Sequence, residues 1–346
     1  MDHVLEPSSP PSKPSRRVRR RRPWALPLVG LGLLGFASAG AACGSDEEPP
    51  PTDGGDCTPT DPNCPGLGSA CLALTDNAGL DEFTLRLAQL SVLRPASLTT
   101  DFVRSLIADG VNANLDACNL FGMGSFNLMV TFDRPADTLT LGGAFPEQDP
   151  TQGYCLVDDP DNDVAPVTVA ANLQDDGSFS TDPIDRFVVP VFIDTTATEA
   201  VYLPLRQARI TGGQLSADQN CVGRFNADGL QPDQNCAPFP EMGIEYFVND
   251  AELDGFIRIE EADEVSVDLA RQSLCVLLSG DVNAFGDGNT EGIERCRRDG
   301  DGEIVLEGDW CSTSNQEGDC RDSFKLQGRV AASAATLRAT SDCPSR

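Results

Sequence analysis

The chain has 346 residues, 40% of them hydrophobic, with 25 basic side chains against 54 acidic ones and a formal charge of -29. Seven of the basic and two of the acidic residues fall within the first 42, so the remainder carries -34 and keeps a single lysine, Lys325. Binding to nucleic acid or to an anionic membrane surface relies on clustered Lys and Arg, and is therefore excluded for that remainder.

Residues 1–42 have the three-part layout of a secretory signal peptide: a basic run (Arg16, Arg17, Arg19, Arg20, Arg21, Arg22), an apolar stretch from Ala25 to Ala37, and small residues ahead of Cys43. Pro27, Gly30, Gly32 and Gly35 interrupt the apolar stretch. It is also shorter than the roughly 20 residues that a bilayer-crossing helix needs, so it reads as a removable signal. The sequence Gly40-Ala41-Ala42-Cys43 resembles the lipobox of bacterial lipoproteins, with Gly40 where that family usually carries Leu. The resemblance covers the signal and anchor only. It implies that Cys43 is lipidated as the first residue of the exported chain, that the partner reached through it is a membrane, and that the protein resides in the cell envelope. Gly44, rather than Asp, after the lipidated Cys implies the outer membrane by that family's sorting habit. Residues 43–56, with Asp46-Glu47-Glu48-Pro49-Pro50-Pro51, form an acidic Pro-rich tether that cannot bury a core.

Residues 57–79 place Cys57, Cys64 and Cys71 at intervals of seven among Pro, Gly and Asp, and are predicted to form a cross-linked collar. A main β-rich domain is predicted over 80–285, with a Cys-rich C-terminal segment, 286–346, packed on it. Phe83, Leu85 and Leu87 alternate with Thr84 and Arg86, and Phe126, Leu128, Val130 and Phe132 with Asn127, Met129 and Thr131, the period of half-buried strands. Similar stretches follow at 138–141, 167–173, 187–193, 201–210, 255–259, 304–306 and 324–332. Asp175-Asp176-Gly177, Thr211-Gly212-Gly213, Ala227-Asp228-Gly229 and the Asp-Gly repeat at 299–302 supply turns between them. Phe102, Val103, Leu106, Ile107 and Val111 keep helical spacing behind a Thr/Asp start, which predicts a helix over 100–112. The stretch 269–278 is ambiguous between helix and strand. The pattern as a whole predicts a mainly β fold: a β-sandwich-like antiparallel domain with one or two short helices, stapled by disulfides.

There are 13 cysteines, and setting Cys43 aside leaves an even twelve. In an exported chain that parity implies up to six disulfides. Cys221 and Cys236 are the first pairing expected, because each closes the same tetrapeptide, Asp-Gln-Asn-Cys, around a Gly/Asp/Pro-rich loop. Cys311 with Cys320 is the second.

The only histidine, His3, lies in the signal. Histidine general bases, Ser-His-Asp and Cys-His nucleophile systems and histidine metal sites are thus excluded for the exported chain. Gly-x-Ser-x-Gly, phosphate-loop and dinucleotide fingerprints are also lacking. The candidate chemistry sits in acidic loops at 158–163, 280–291 and 299–303. In the second, Asp281, Asn283, Asp287, Asn289 and Glu291 alternate with Gly-rich spacers, oxygen donors of the kind calcium takes, although the closing Glu of a helix-loop-helix calcium motif is missing. The leading expectation is a non-catalytic structural, adhesive or ligand-binding module, with calcium as its candidate cofactor. The alternative is a carboxylate-dependent, glycosidase-like hydrolase, which needs two carboxylates about 5 to 9 Å apart in a cleft. Against it stands the scarcity of aromatic platforms: one Trp, Trp310, and three Tyr after the signal.

Overall fold

Apolar side chains at every second position can all be buried only if each strand turns that face inward, and eight long strands do so around a common core. The computed structural model describes residues 72–343 except 116–119, 226–229, 232–236, 239–246, 249–250, 282–291 and 319. The strands are β1 (Glu82–Arg94), β2 (Asn127–Asp133), β3 (Thr138–Ala144), β4 (Val167–Ala170), β5 (Ile184–Phe192), β6 (Ala200–Thr211), β7 (Ala251–Arg258) and β8 (Ser323–Ala334). They pair antiparallel in the order β4-β3-β2-β1-β8-β7-β6-β5, so every pair except β1 with β8 joins strands consecutive in this numbering. A two-residue strand, Cys221–Val222, adds to the edge of β8 opposite Ser333 and Ala332.

The mainly β, antiparallel class read from the sequence is the observed one. Its two facing layers belong to one sheet that curls back on itself into a nearly closed, barrel-like arrangement. The sheet closes where β3, next to the end strand β4, approaches β5: a Cβ on Gly143 would stand 2.4 Å from Pro190 Cδ. Pro190 has no N–H to donate to a ladder, so the seam closes there by packing.

Bulges keep the apolar residues inward. In β1, Leu85 and Leu87 oppose Ala334 and Ala332, then Ala88 is passed over, and Leu90 and Val92 oppose Val330 and Gly328. One extra residue moves the inward face from odd to even numbers, which is what a β-bulge does. β6 shifts similarly near Gln207, whose φ is 49°. Toward the start of β1 the interior is filled by Phe83 stacked on Phe132 and by Phe179 edge-on to Phe132, each pair 5.0 Å between centroids. Full burial of side chains such as Phe132 stabilises the fold by about 1.5–3 kcal/mol each. Outward positions carry Thr, Asp, Glu and Arg, with cross-strand contacts such as Thr84 to Thr131. An apolar inside and a charged outside is the reverse of a transmembrane barrel. Among the described residues no helix is long and apolar enough to cross a membrane.

Helix α1 (Asp101–Val111) starts where the Thr100 hydroxyl accepts the Val103 N–H at 3.4 Å, a side-chain N-cap. The stretch at 269–278 resolves into a 3-10 turn, Asp268–Ala270, then Arg271 in the left-handed region, a short strand and a helix over Leu274–Ser279. Helix Ile259–Glu264 lies directly after β7. Residues 304–306 are not a strand; Ile304 makes only an isolated bridge to Arg298.

The boundary expected at residue 285 is crossed by the sheet. β8, from the segment 286–346, lies between β1 and β7 and is the most extensively paired strand. The end of the expected collar is likewise part of the barrel: Leu72 and Asn77 are buried, and the Leu74 N–H donates to Ala334 O. Disulfides join Cys155 to Cys343, Cys275 to Cys296 and Cys311 to Cys320. Cys221 is also disulfide-bonded, while Cys236 lies outside the described residues.

Candidate functional site

Beyond the phenylalanine-filled end, the barrel encloses a cavity of about 270 Å3. Its walls come from inward positions of the strands, among them Leu90, Leu128, Phe187, Val189, Leu205 and Leu253. The face of α1 that carries Leu106, Ile107 and Gly110 completes one side. Eight-stranded barrels have interiors just wide enough to be filled by side chains or to hold one small ligand, and here part of the interior stays open. Leu106 and Leu269 line the cavity yet are 43% and 70% exposed, so they mark where it opens to solvent.

The charged residues in the wall are already paired. Arg94 pairs with Asp309 at 3.0 Å and Glu317 at 2.9 Å. Asp254 receives Arg209 at 2.9 Å and also Lys325, the one lysine after residue 42. The Lys325 ammonium lies 4.6 Å from the centre of the Trp310 ring, and its backbone N–H donates to Asp309 at 2.8 Å. Pairing and hydrogen bonding of this kind is what lets a charge sit in a dry wall. Gln327 donates to Glu252 at 2.6 Å. Ser125, 2% exposed, is the remaining polar residue of the wall.

Among the described residues Asp254 is the one carboxylate in this wall, and its two ion pairs occupy it. Among the described residues Asp109 is the carboxyl pushed above its ordinary range, by burial alone, with no second carboxylate acting on it. The described residues of the wall thus hold no pair of facing carboxylates of the kind the hydrolase alternative requires.

Of the residues singled out for calcium, Asp281 is exposed, with its N–H on Ser279 Oγ at 3.2 Å. Asn283, Asp287, Asn289 and Glu291 lie outside the described residues, as does Cys43. In the loop 158–163 the carboxylates are turned to internal partners: Asp159 accepts from Asn162 and Tyr202, which hold it below the ordinary range, and Asp163 pairs with Arg186. Asp299 accepts the N–H groups of Asp301 and Glu303, closing its own turn. Asp263, Cys275 and Cys296 form the one cluster of three ligand-type residues among the described residues. The two sulfurs are bonded to each other, however, and the Asp263 carboxylate accepts from Ser273, the Cys296 N–H and Arg298. It is a buried structural carboxylate.

The cavity has no separate signature in the sequence. Its lining residues are largely the same inward strand positions that a filled core uses. The fold and its site define an antiparallel, barrel-like protein with an apolar internal compartment. No family model, curated protein or solved structure matches the chain.

Proposed function

We propose that this is an exported, non-catalytic envelope protein, held to a membrane through lipidated Cys43, outer membrane favoured, whose barrel binds a small apolar ligand. The observation that carries the binding reading is the apolar cavity with its leucine-marked opening. Burial of apolar surface is the main source of affinity in such a site, and a preformed cavity avoids the cost of opening one. The lipobox-like Gly40-Ala41-Ala42-Cys43 and the acidic tether support the anchor and the address.

Residues 44–346, secreted behind a conventional signal, contain the whole compact unit Thr52–Arg346 and suit the binding test. A naphthylamine fluorophore, whose emission rises in apolar surroundings, is expected to bind saturably. Leu205→Trp, which fills the cavity, is expected to abolish binding while raising the melting temperature. A purely structural or adhesive role predicts no saturable binding. For the anchor, the full chain is expected to take up a labelled fatty acid in cells, and Cys43→Ser to lose the label.

A further inference from the structure

We infer that the mouth of the cavity is a docking surface for the bilayer that holds Cys43: Leu106 and Leu269 enter its headgroup region, and the apolar ligand passes between bilayer and barrel without crossing water. This rests on the readings of Cys43 as an anchor and of the cavity as a binding site, and adds the surface through which the two act together.

Two features of the mouth carry it. The first is apolar exposure. Leu106 and Leu269 come from separate elements, α1 and the turn Asp268–Ala270, yet both line the cavity and both stand exposed at its opening. Leu93, between the lining residues Val92 and Arg94, is exposed as well. Single exposed leucines are ordinary, whereas several about an apolar opening mark a contact surface. The second is charge. After residue 42 the chain carries -34, but α1 holds two aspartates and one arginine, and 268–271 one of each. These segments are close to neutral, so zwitterionic headgroups meet little net charge where the leucines stand. An apolar ligand is concentrated in a bilayer and scarce in water, so a mouth seated on lipid draws on the larger store.

The length of chain between the anchor and the barrel permits the contact. The Leu74 N–H donates to Ala334 O, which lies opposite Leu85, so the described chain enters at the phenylalanine-filled end. α1 and the turn Asp268–Ala270 follow the other ends of β1 and β7, and the mouth is there. From Leu85 to Arg94 a strand covers about 30 Å. Residues 44–56 alone cover up to about 40 Å, and 44–71 up to about 90 Å. Either length lets the mouth turn to the bilayer. A few leucines are too little apolar surface to hold a free protein on lipid, and the anchor supplies the effective concentration.

The test couples residues 43–346, through the Cys43 thiol, to a maleimide lipid in phosphatidylcholine vesicles, which places that residue on a bilayer whether or not cells lipidate it. Leu269→Trp is compared with Leu80→Trp, exposed at the end where the chain enters, and with wild type, which reports Trp310 alone. In vesicles of chain-brominated phosphatidylcholine, Leu269→Trp is expected to lose roughly half of the emission that it adds to wild type, since interfacial insertion of about 5–10 Å reaches the bromines. Leu80→Trp is expected to lose none. Equal quenching of the two, or no quenching of Leu269→Trp, overturns the inference. Passage of ligand is read from the rate at which coupled protein takes the naphthylamine fluorophore from loaded vesicles, divided by the same variant's uptake rate in vesicle-free solution. Leu269→Asp is expected to lower that ratio about ten-fold, the lower end of what burial of one leucine is worth, and Leu80→Asp to leave it unchanged. Equal ratios overturn the inference and leave the binding and anchor readings standing. Failure of the fluorophore to bind in vesicle-free solution overturns the binding reading, and the passage of ligand with it.

Discussion

Arg86 shows how a single residue ties the barrel wall to its surroundings. It points outward from β1 and is 4% exposed; Nε donates to Asn127 Oδ1 at 2.6 Å, and its terminal nitrogens donate to Leu87 O at 3.0 Å and Val111 O at 2.5 Å. The guanidinium lies 5.5 Å from the centre of the buried Tyr154 ring, whose phenol is pushed up by burial and partly drawn back by this charge. Arg86→Met removes every one of these donors while keeping much of the apolar stem. It is expected to lower stability by about 2–4 kcal/mol, read from urea unfolding, because the acceptors it served stay buried. Asp194 behaves differently, being only partly buried. Hydrogen bonds from Thr196 first and then Thr198 hold its carboxyl at about 2. Since that lies below the ordinary value, its contribution to folding is present above pH about 4 and is lost as pH falls through about 2. A carbon-detected NMR titration is expected to place its midpoint near 2 in wild type and clearly higher in Thr196→Val.

At the scale of elements, bulges and the seam decide the architecture. Without the extra residue at Ala88, the inward set of β1 would stay on odd numbers, and Leu90 and Val92 would face outward. The alternation at Phe83, Leu85 and Leu87 is legible in the sequence. The change of parity after it is not, because a bulge is set by the partner strand's register. Gly143 and Pro190 close the seam at a distance that leaves no room for a methyl group. Gly143→Ala is accordingly expected to cost about 1–3 kcal/mol by overpacking, read from urea unfolding, and to speed hydrogen exchange in β3 and β5. Of the disulfides, Cys155–Cys343 spans 188 residues and pins the end of the chain beside β3. Nothing in the spacing of those two cysteines announces their pairing, since both halves of the contact are made by the fold.

For the whole molecule, a charge of -34 after the first 42 residues means that carboxylates repel one another across the surface. Calcium at the loop 280–291 is a reading carried by its residue pattern alone, and a melt separates it from charge screening. With a specific site, calcium is expected to raise the melting midpoint more than magnesium at matched ionic strength, and a chelator to reverse it. With screening alone, the two cations are expected to act alike. Several properties were determined by the sequence by itself: the antiparallel β class, the place of most strands and of the first helix, the exclusion of histidine chemistry, and the signal-and-anchor expectation. All of these are written in local period, composition or short motif. The curling of one sheet into a nearly closed, barrel-like arrangement, the place of 286–346 within that sheet and the hollow left inside it were decided by tertiary structure. Alternation specifies which side of a strand turns inward; how far away the opposite wall stands, and what it leaves unfilled, depends on strands more than a hundred residues apart.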